Sequence, residues 1–122
     1  MLNTSLNNTS LLEEIIQALE PLNPYKIILF GSYAHGTADE HSDIDLLVVL
    51  DSHTMPSNFK EKMQLHSQVA RKLRHLRRAF PMDIIVQTRP LYKEFRQTAS
   101  MFARDIQQNG KVIYEKDHPR VA

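Results

Sequence analysis

Apolar positions along this chain follow two rhythms, one near 3.6 residues and one of short unbroken runs. Leu11, Leu12, Ile15, Ile16 and Leu19 recur at steps of three and four, which predicts an amphipathic helix with Ser10 as N-cap. Glu13 and Glu14 stand in its first turn, where the helix dipole favours negative charge, and Pro21 and Pro24 end it. Lys26 to Phe30 (KIILF) and Asp43 to Leu50 (DIDLLVVL) are short, nearly continuous apolar runs and predict strands covered on both faces. Between them Ser32 to Ala38 reads as a helical turn and loop, because Gly31 and Gly36 permit backbone angles that other residues resist. Beyond a linker with Pro56, the stripe Leu65, Val69, Leu73, Leu76 and Phe80 predicts one long helix closed by Pro81. Met82 to Thr88 predicts a third strand. Pro90 then opens a last helix whose apolar positions, Leu91, Phe95, Ala99, Phe102 and Ile106, are expected in the core. Asn109 and Gly110 end it, and Lys111 to Glu115 (KVIYE) makes a final strand. The first eight residues and the tail from Lys116 lack periodicity and read as loose ends.

This order predicts an α/β protein, a small mixed β-sheet with helices packed on it. At 122 residues the chain is expected to form a single domain over 1–122 with its core at about 10–115. The absence of cysteine excludes a disulfide framework and thiolate chemistry, and no apolar run approaches the length of a membrane span. No basic segment followed by an apolar one opens the sequence, so a cytoplasmic protein without membrane contact is expected. The net charge of +1 hides a division. Residues 1–51 hold one base and eight acids, a net −7, whereas residues 52–122 hold fourteen bases and six acids, a net +8. Arg71, Lys72, Arg74, Arg77 and Arg78 concentrate the positive charge on the long helix. That face suits a solvated exterior, nucleic acid or an acidic protein partner. No aromatic residues interleave with these bases, so direct nucleic-acid binding is not expected.

The chemistry gathers around the first two strands. Asp43 and Asp45 lie two apart, on one face of a strand and roughly 7 Å from each other, so their charges repel unless a cation bridges them. Hard divalent ions such as Mg²⁺ take oxygen ligands of this kind. Upstream, with ten residues between Ser32 and Asp43, Gly31 lets a phosphate approach the backbone, and Ser32 offers a hydroxyl at the start of a helical turn. Asp83 is the one acid in the third strand, and beside the second strand it would bring three carboxylates together as metal ligands. Alone, a Gly-Ser pair is ordinary turn chemistry and an Asp-x-Asp is ordinary strand-entrance polarity. Their conjunction at consecutive strand ends points to metal-assisted phosphoryl chemistry. His35 and His41 show no ligand spacing and read as surface residues.

The segment GSYAHGTADEHSDID resembles the GS-x10-DxD motif of the DNA polymerase β-like nucleotidyltransferase superfamily, with Gly31, Ser32, Asp43 and Asp45 on the motif positions. IILFGSYAHG and SDIDLLVVL are similar to its minimal bacterial members, the MNT-domain proteins. The likeness is dense from Lys26 to Leu50 and thinner, through MDIIV and KVIYE, to about Glu115. It implies a polymerase β palm-like nucleotidyltransferase fold. It also implies two Mg²⁺ ions on the paired aspartates, ATP held by the Gly-Ser segment, and a third acid assisting the acceptor hydroxyl. Those roles fall on Asp43 and Asp45, on Gly31 and Ser32, and on Asp83. Members often carry Arg where His35 stands, and a mostly neutral imidazole supplies no fixed cation there.

Members of the superfamily that act on drugs or RNA carry an added helical domain for the acceptor. This sequence shows none, so the resemblance implies an acceptor on another polypeptide or subunit. The minimal members are antitoxins paired with HEPN toxins, and some transfer AMP from ATP to a tyrosine of the HEPN ribonuclease. The expectation is therefore a Mg²⁺-dependent protein adenylyltransferase, the antitoxin of a HEPN/MNT pair, with ATP and its cognate toxin as partners and an oligomer with that toxin as its assembly. Two alternatives stand beside it: an antitoxin that neutralises by binding alone, and a nucleotidyltransferase of aminoglycoside type acting on a small molecule.

Overall fold

The computed structural model describes residues 9–39 and 42–117. The loose ends expected at 1–8 and 118–122, and His41, lie outside the described residues. Helices and strands follow in the order α1 (Thr9–Leu19), β1 (Pro24–Phe30), α2 (Ser32–His35), β2 (Ile44–Leu50), α3 (Phe59–Lys72), α4 (Arg74–Ala79), β3 (Met82–Gln87), α5 (Arg89–Gln97), α6 (Met101–Asn109) and β4 (Lys111–Glu115). The strands form one mixed sheet in the order β3-β2-β1-β4. β1 runs antiparallel to both β2 and β4, and β2 runs parallel to β3. No helix among the described residues is long and apolar enough to cross a membrane.

The sheet is covered on both faces, which is why β1 and β2 read as unbroken apolar runs. Side chains alternate across the pleat. Ile27, Leu29, Ile44, Leu46, Val48, Met82 and Ile84 meet α1, α3 and α4 through Ile15, Leu19, Val69, Leu73 and Leu76. Ile28, Phe30, Leu47 and Val49 turn the other way and pack with Tyr92 of α5 and Ile106 of α6. Eleven of these large side chains are essentially sealed from solvent, each contributing roughly 1.5–3 kcal/mol of burial.

Several boundaries differ from the sequence expectation. Thr9 already belongs to α1, so Ser10 lies inside the first turn and not at its cap. β1 starts at Pro24, two residues early, at a position where a missing N–H is tolerated. β2 starts at Ile44, which leaves Asp43 just outside the strand. The single helix expected across Leu65 to Phe80 is two, because the backbone departs from helical geometry at Leu73 (φ −97°, ψ 3°). Leu73 is nonetheless fully buried, so the apolar stripe survives the break. The last helix is also two. Thr98 Oγ1 donates to the Phe95 carbonyl at 2.8 Å, and Ser100 Oγ accepts from the Ala103 N–H at 3.0 Å, ending one helix and capping the next. Ala99 consequently faces solvent, Phe95 is half-buried, and Phe102 is 48% exposed instead of core. Lys116, expected in a loose tail, is held: its N–H donates to the Tyr25 carbonyl and its ammonium pairs with Asp51.

Candidate active site

Register decides where the acids meet. In the parallel pair, Asp45 of β2 stands directly beside Asp83 of β3, and on the antiparallel side Asp45 faces Phe30, the last residue of β1. Two carboxylates that are 38 positions apart in sequence thus become neighbours on one face, at one end of the sheet. Asp43 is exposed, one position before β2, and close enough that its charge acts on Asp45. The Asp45 carboxyl is held above the usual carboxylate range, chiefly by burial, then by repulsion from Asp83 and from Asp43. Of the three acids singled out in the sequence, Asp45 and Asp83 are brought side by side, and Asp43 acts on Asp45 through its charge. Among the described residues, however, no three His, Cys, Asp or Glu side chains are gathered tightly enough to hold a metal ion by themselves.

Gly31 ties the loop to this acid. It has φ +74°, in the region that favours glycine, and a Cβ built there would collide with Asp45 Oδ2 and lie 3.0 Å from its Cγ. The Asp45 carboxylate therefore fills the space beside Gly31 that a side chain would need, with Oδ2 nearest. From Gly31 the chain turns directly into α2, with the N–H groups of Ala34 and His35 donating to the Gly31 carbonyl at 3.1 and 3.0 Å. Ser32 opens that turn, one residue after Gly31, and the Gly36 N–H closes it on the Ser32 carbonyl. Tyr33, on the same turn, has its phenol pushed up by burial and by the charges of Asp39 and Asp43. His35 reaches Asp105 of α6, Nε2 to Oδ1 3.4 Å, so it fastens the turn to α6 and does not stand as a free cation. Asp105 is itself held low, first by the Asn109 amide, with His35 adding to the effect.

A cleft of about 620 Å³ opens over these groups. Gly31, Asp45 and Asp83 form its acidic end, Phe30 and Phe102 an aromatic wall, and His66 of α3 and Arg77 of α4 the basic side. The two rings meet edge to face at 5.6 Å. Among the described residues Arg77 makes no ion pair, although it lines the same cleft as Asp45, Asp83 and Asp105. His66, Arg77, Phe102 and Asp105 were not singled out for this role by sequence. Arg77 blended into the run of bases, and Phe102 matched a core stripe. Arg71, Arg74 and Arg78 are all exposed, and none of them lines the cleft.

The donor set suits a hard divalent cation. The Asp45 carboxylate, with its raised proton affinity, gains from an adjacent positive charge, and Mg²⁺ completes its shell with water and phosphate oxygens, so a protein need not supply a full cage.

Comparison with known proteins fits this arrangement. The family model "Polymerase beta, Nucleotidyltransferase" matches residues 13–119. A protein of Methanocaldococcus jannaschii named "Putative protein adenylyltransferase MJ0604" is 30% identical over 114 residues, spanning 89% of this chain and 100% of its own length. A crystal structure described as a putative nucleotidyltransferase from Sulfolobus solfataricus superposes with a TM-score of 0.63 at 20% identity, covering 99% of this chain and 96% of that one. Another, a toxin-antitoxin with AMP-PNP, gives 0.53 at 22% identity, covering 85% and 73%. With sequence, register and fold in agreement, the chain belongs to the polymerase β nucleotidyltransferase family.

Proposed function

We propose that this protein transfers AMP from ATP to a hydroxyl of a partner protein, a tyrosine of a cognate HEPN ribonuclease toxin, and thereby neutralises it in the cytoplasm. The observation that carries the reading is the lateral pairing of Asp45 with Asp83 against the Gly31 backbone. Adenylyl transfer is supported by the M. jannaschii relative's name, and a toxin partner by the toxin-antitoxin structure of like fold.

In this reading Asp43, Asp45 and Asp83 hold Mg²⁺, two ions being expected. Once bound, the metal neutralises phosphate charge and makes an adjacent hydroxyl a stronger nucleophile. Ser32 donates its hydroxyl to the triphosphate, whose approach the bare Gly31 backbone permits. Phe30 and Phe102 offer an apolar wall to the adenine, and Arg77 meets phosphate charge from the far side. The acceptor oxygen bonds to the α-phosphorus, the bond from that phosphorus to the bridging oxygen of the β-phosphate breaks, and pyrophosphate leaves. The hydroxyl proton passes towards Asp83, the acid on the neighbouring strand.

Incubating the protein with ATP, Mg²⁺ and the product of the adjacent gene, then weighing that product, tests the proposal. The expected result is a mass gain of whole adenylate units that vanishes in Asp43→Ala/Asp45→Ala. No gain, or an undiminished gain in that variant, overturns it. Rescue of growth by the double variant would instead assign neutralisation to binding alone.

A further inference from the structure

A second hollow lies on the α5–α6 face of the sheet, at the opposite end of β1 from the acids. From Lys26 to Phe30 is about 13 Å along the strand. It encloses about 430 Å³ between the start of β1, the loop after β2 and the outer side of α5. Arg89, Lys93 and Arg96 project into it from α5 at steps of four and three, which places them on one helical face. Lys26 and His53 face them, and no acid lines the space. A bulge between Pro24 and Lys26 breaks the alternation of β1, so that Tyr25 packs on the same side as Ile28 and Phe30.

The two tyrosines of the hollow hold three of its cations. The Arg89 guanidinium lies 4.1 Å from the Tyr25 ring centroid, and Lys26 and Arg96 stand 5.4 and 5.5 Å from that of Tyr92. Two of the cations are offset: Arg89 by Asp51 at 3.1 Å and Lys26 by Glu115 at 3.8 Å. Lys93 and Arg96 have no ion pair among the described residues. A smaller hollow of about 210 Å³ shares Lys26, Tyr92 and Arg96 with it, so the two are neighbours beside α5. Arg96, held over Tyr92 and without an ion pair among the described residues, and Lys93 beside it leave uncompensated positive charge in a groove of small-ligand size, which suits phosphate recognition.

We propose that this groove binds an oligophosphate chain, free or as the tail of a nucleotide, at a site separate from the acid cleft. The site uses none of the acids, so it stands independently of the transferase reading. Because it needs no metal, it is separable from that cleft by removing divalent ions.

The test is calorimetric titration of the full chain with inorganic tripolyphosphate in EDTA. Expected is saturable one-site binding that Asp45→Asn leaves unchanged and Lys93→Glu/Arg96→Glu weakens at least about tenfold. The pair Arg71→Glu/Arg78→Glu, with the same change in net charge on an exposed face outside the groove, should alter affinity far less. Lys93→Gln/Arg96→Gln, checked for an unchanged melting curve, guards against loss of folding and should also weaken binding. ATP titrated in the same buffer separates the sources. Equal affinity indicates the free chain, and tighter ATP binding with the same dependence on Lys93 and Arg96 indicates a nucleotide. Absence of binding, equal weakening by the Arg71/Arg78 pair, or loss in Asp45→Asn overturns the proposal.

Discussion

At Asp45 folding and chemistry make opposite demands. Folding presses its carboxylate between the Gly31 backbone, the Asp83 charge and a partly closed cleft, and its raised proton affinity reports the cost. Asp45→Asn should therefore make the metal-free protein more stable at neutral pH, read as a higher melting temperature, while transfer activity falls by more than about 100-fold, beyond the loss typical of residues that only support a ligand. Gly31→Ala meets two penalties at once, a positive φ and the Asp45 carboxylate. It should cost about 1–3 kcal/mol in denaturant unfolding. Asp51 shows the opposite electrostatics. Hydrogen bonds from Lys116 and Arg89 hold its carboxyl low, so its contribution is present above the ordinary carboxylate range and lost as pH falls through the depressed value. Asp51→Ala should remove about 1 kcal/mol at pH 7, a modest loss because Arg89 and Lys116 are 38% and 41% exposed, and the difference from wild type should close in acid. The acids and the Gly-Ser pair were legible because each is a polar or flexible intruder at the end of an apolar run. Arg77 and Phe102 were not, because one resembles its basic neighbours and the other completes an apolar stripe.

Both helices that the sequence joined are broken in the structure, for different reasons. Between α5 and α6 the break is chemical: hydroxyls of Thr98 and Ser100 bond to nearby backbone groups and compete with the helix ladder. Ser100→Ala should cost about 1 kcal/mol, seen as a lower denaturation midpoint with an unchanged m-value. That motif was present in the sequence, but the periodicity of Phe95, Ala99 and Phe102 concealed it. Between α3 and α4 no glycine, proline or capping side chain marks the bend at Leu73, and nothing local announces it. The buried stripe continues through the bend, which is why the core positions Val69, Leu73 and Leu76 were legible although the element boundary was not. Leu73→Ala should cost about 2–5 kcal/mol, the usual range for a sealed leucine. Strands were read more faithfully, within about two residues at each end, because runs buried on both faces leave little ambiguity.

At the scale of the molecule, charge is divided as the sequence indicated: eight acids but one base precede residue 52, and the basic half follows. Placement of the bases was legible only in part: of the linear cluster Arg71–Arg78 it is Arg77 that lines the acid cleft, whereas the second hollow is lined by Arg89, Lys93 and Arg96 from outside that cluster. Binding to the native state raises stability by mass action, so Mg²⁺ at about ten times its dissociation constant should add about 1.4 kcal/mol. This should appear as a melting shift of several degrees in wild type and be absent in Asp43→Ala/Asp45→Ala.

The parallel pairing of β2 with β3 has one further consequence. A strand that slides by a single position exchanges its two sides. In β3 that error would bring Met82 or Ile84 next to Asp45 and drive Asp83 among the leucines and isoleucines beneath α3. Misalignment that dismantles the carboxylate pair thus also ruins the oily interior, and the protein cannot settle into its packed form without assembling its acids correctly.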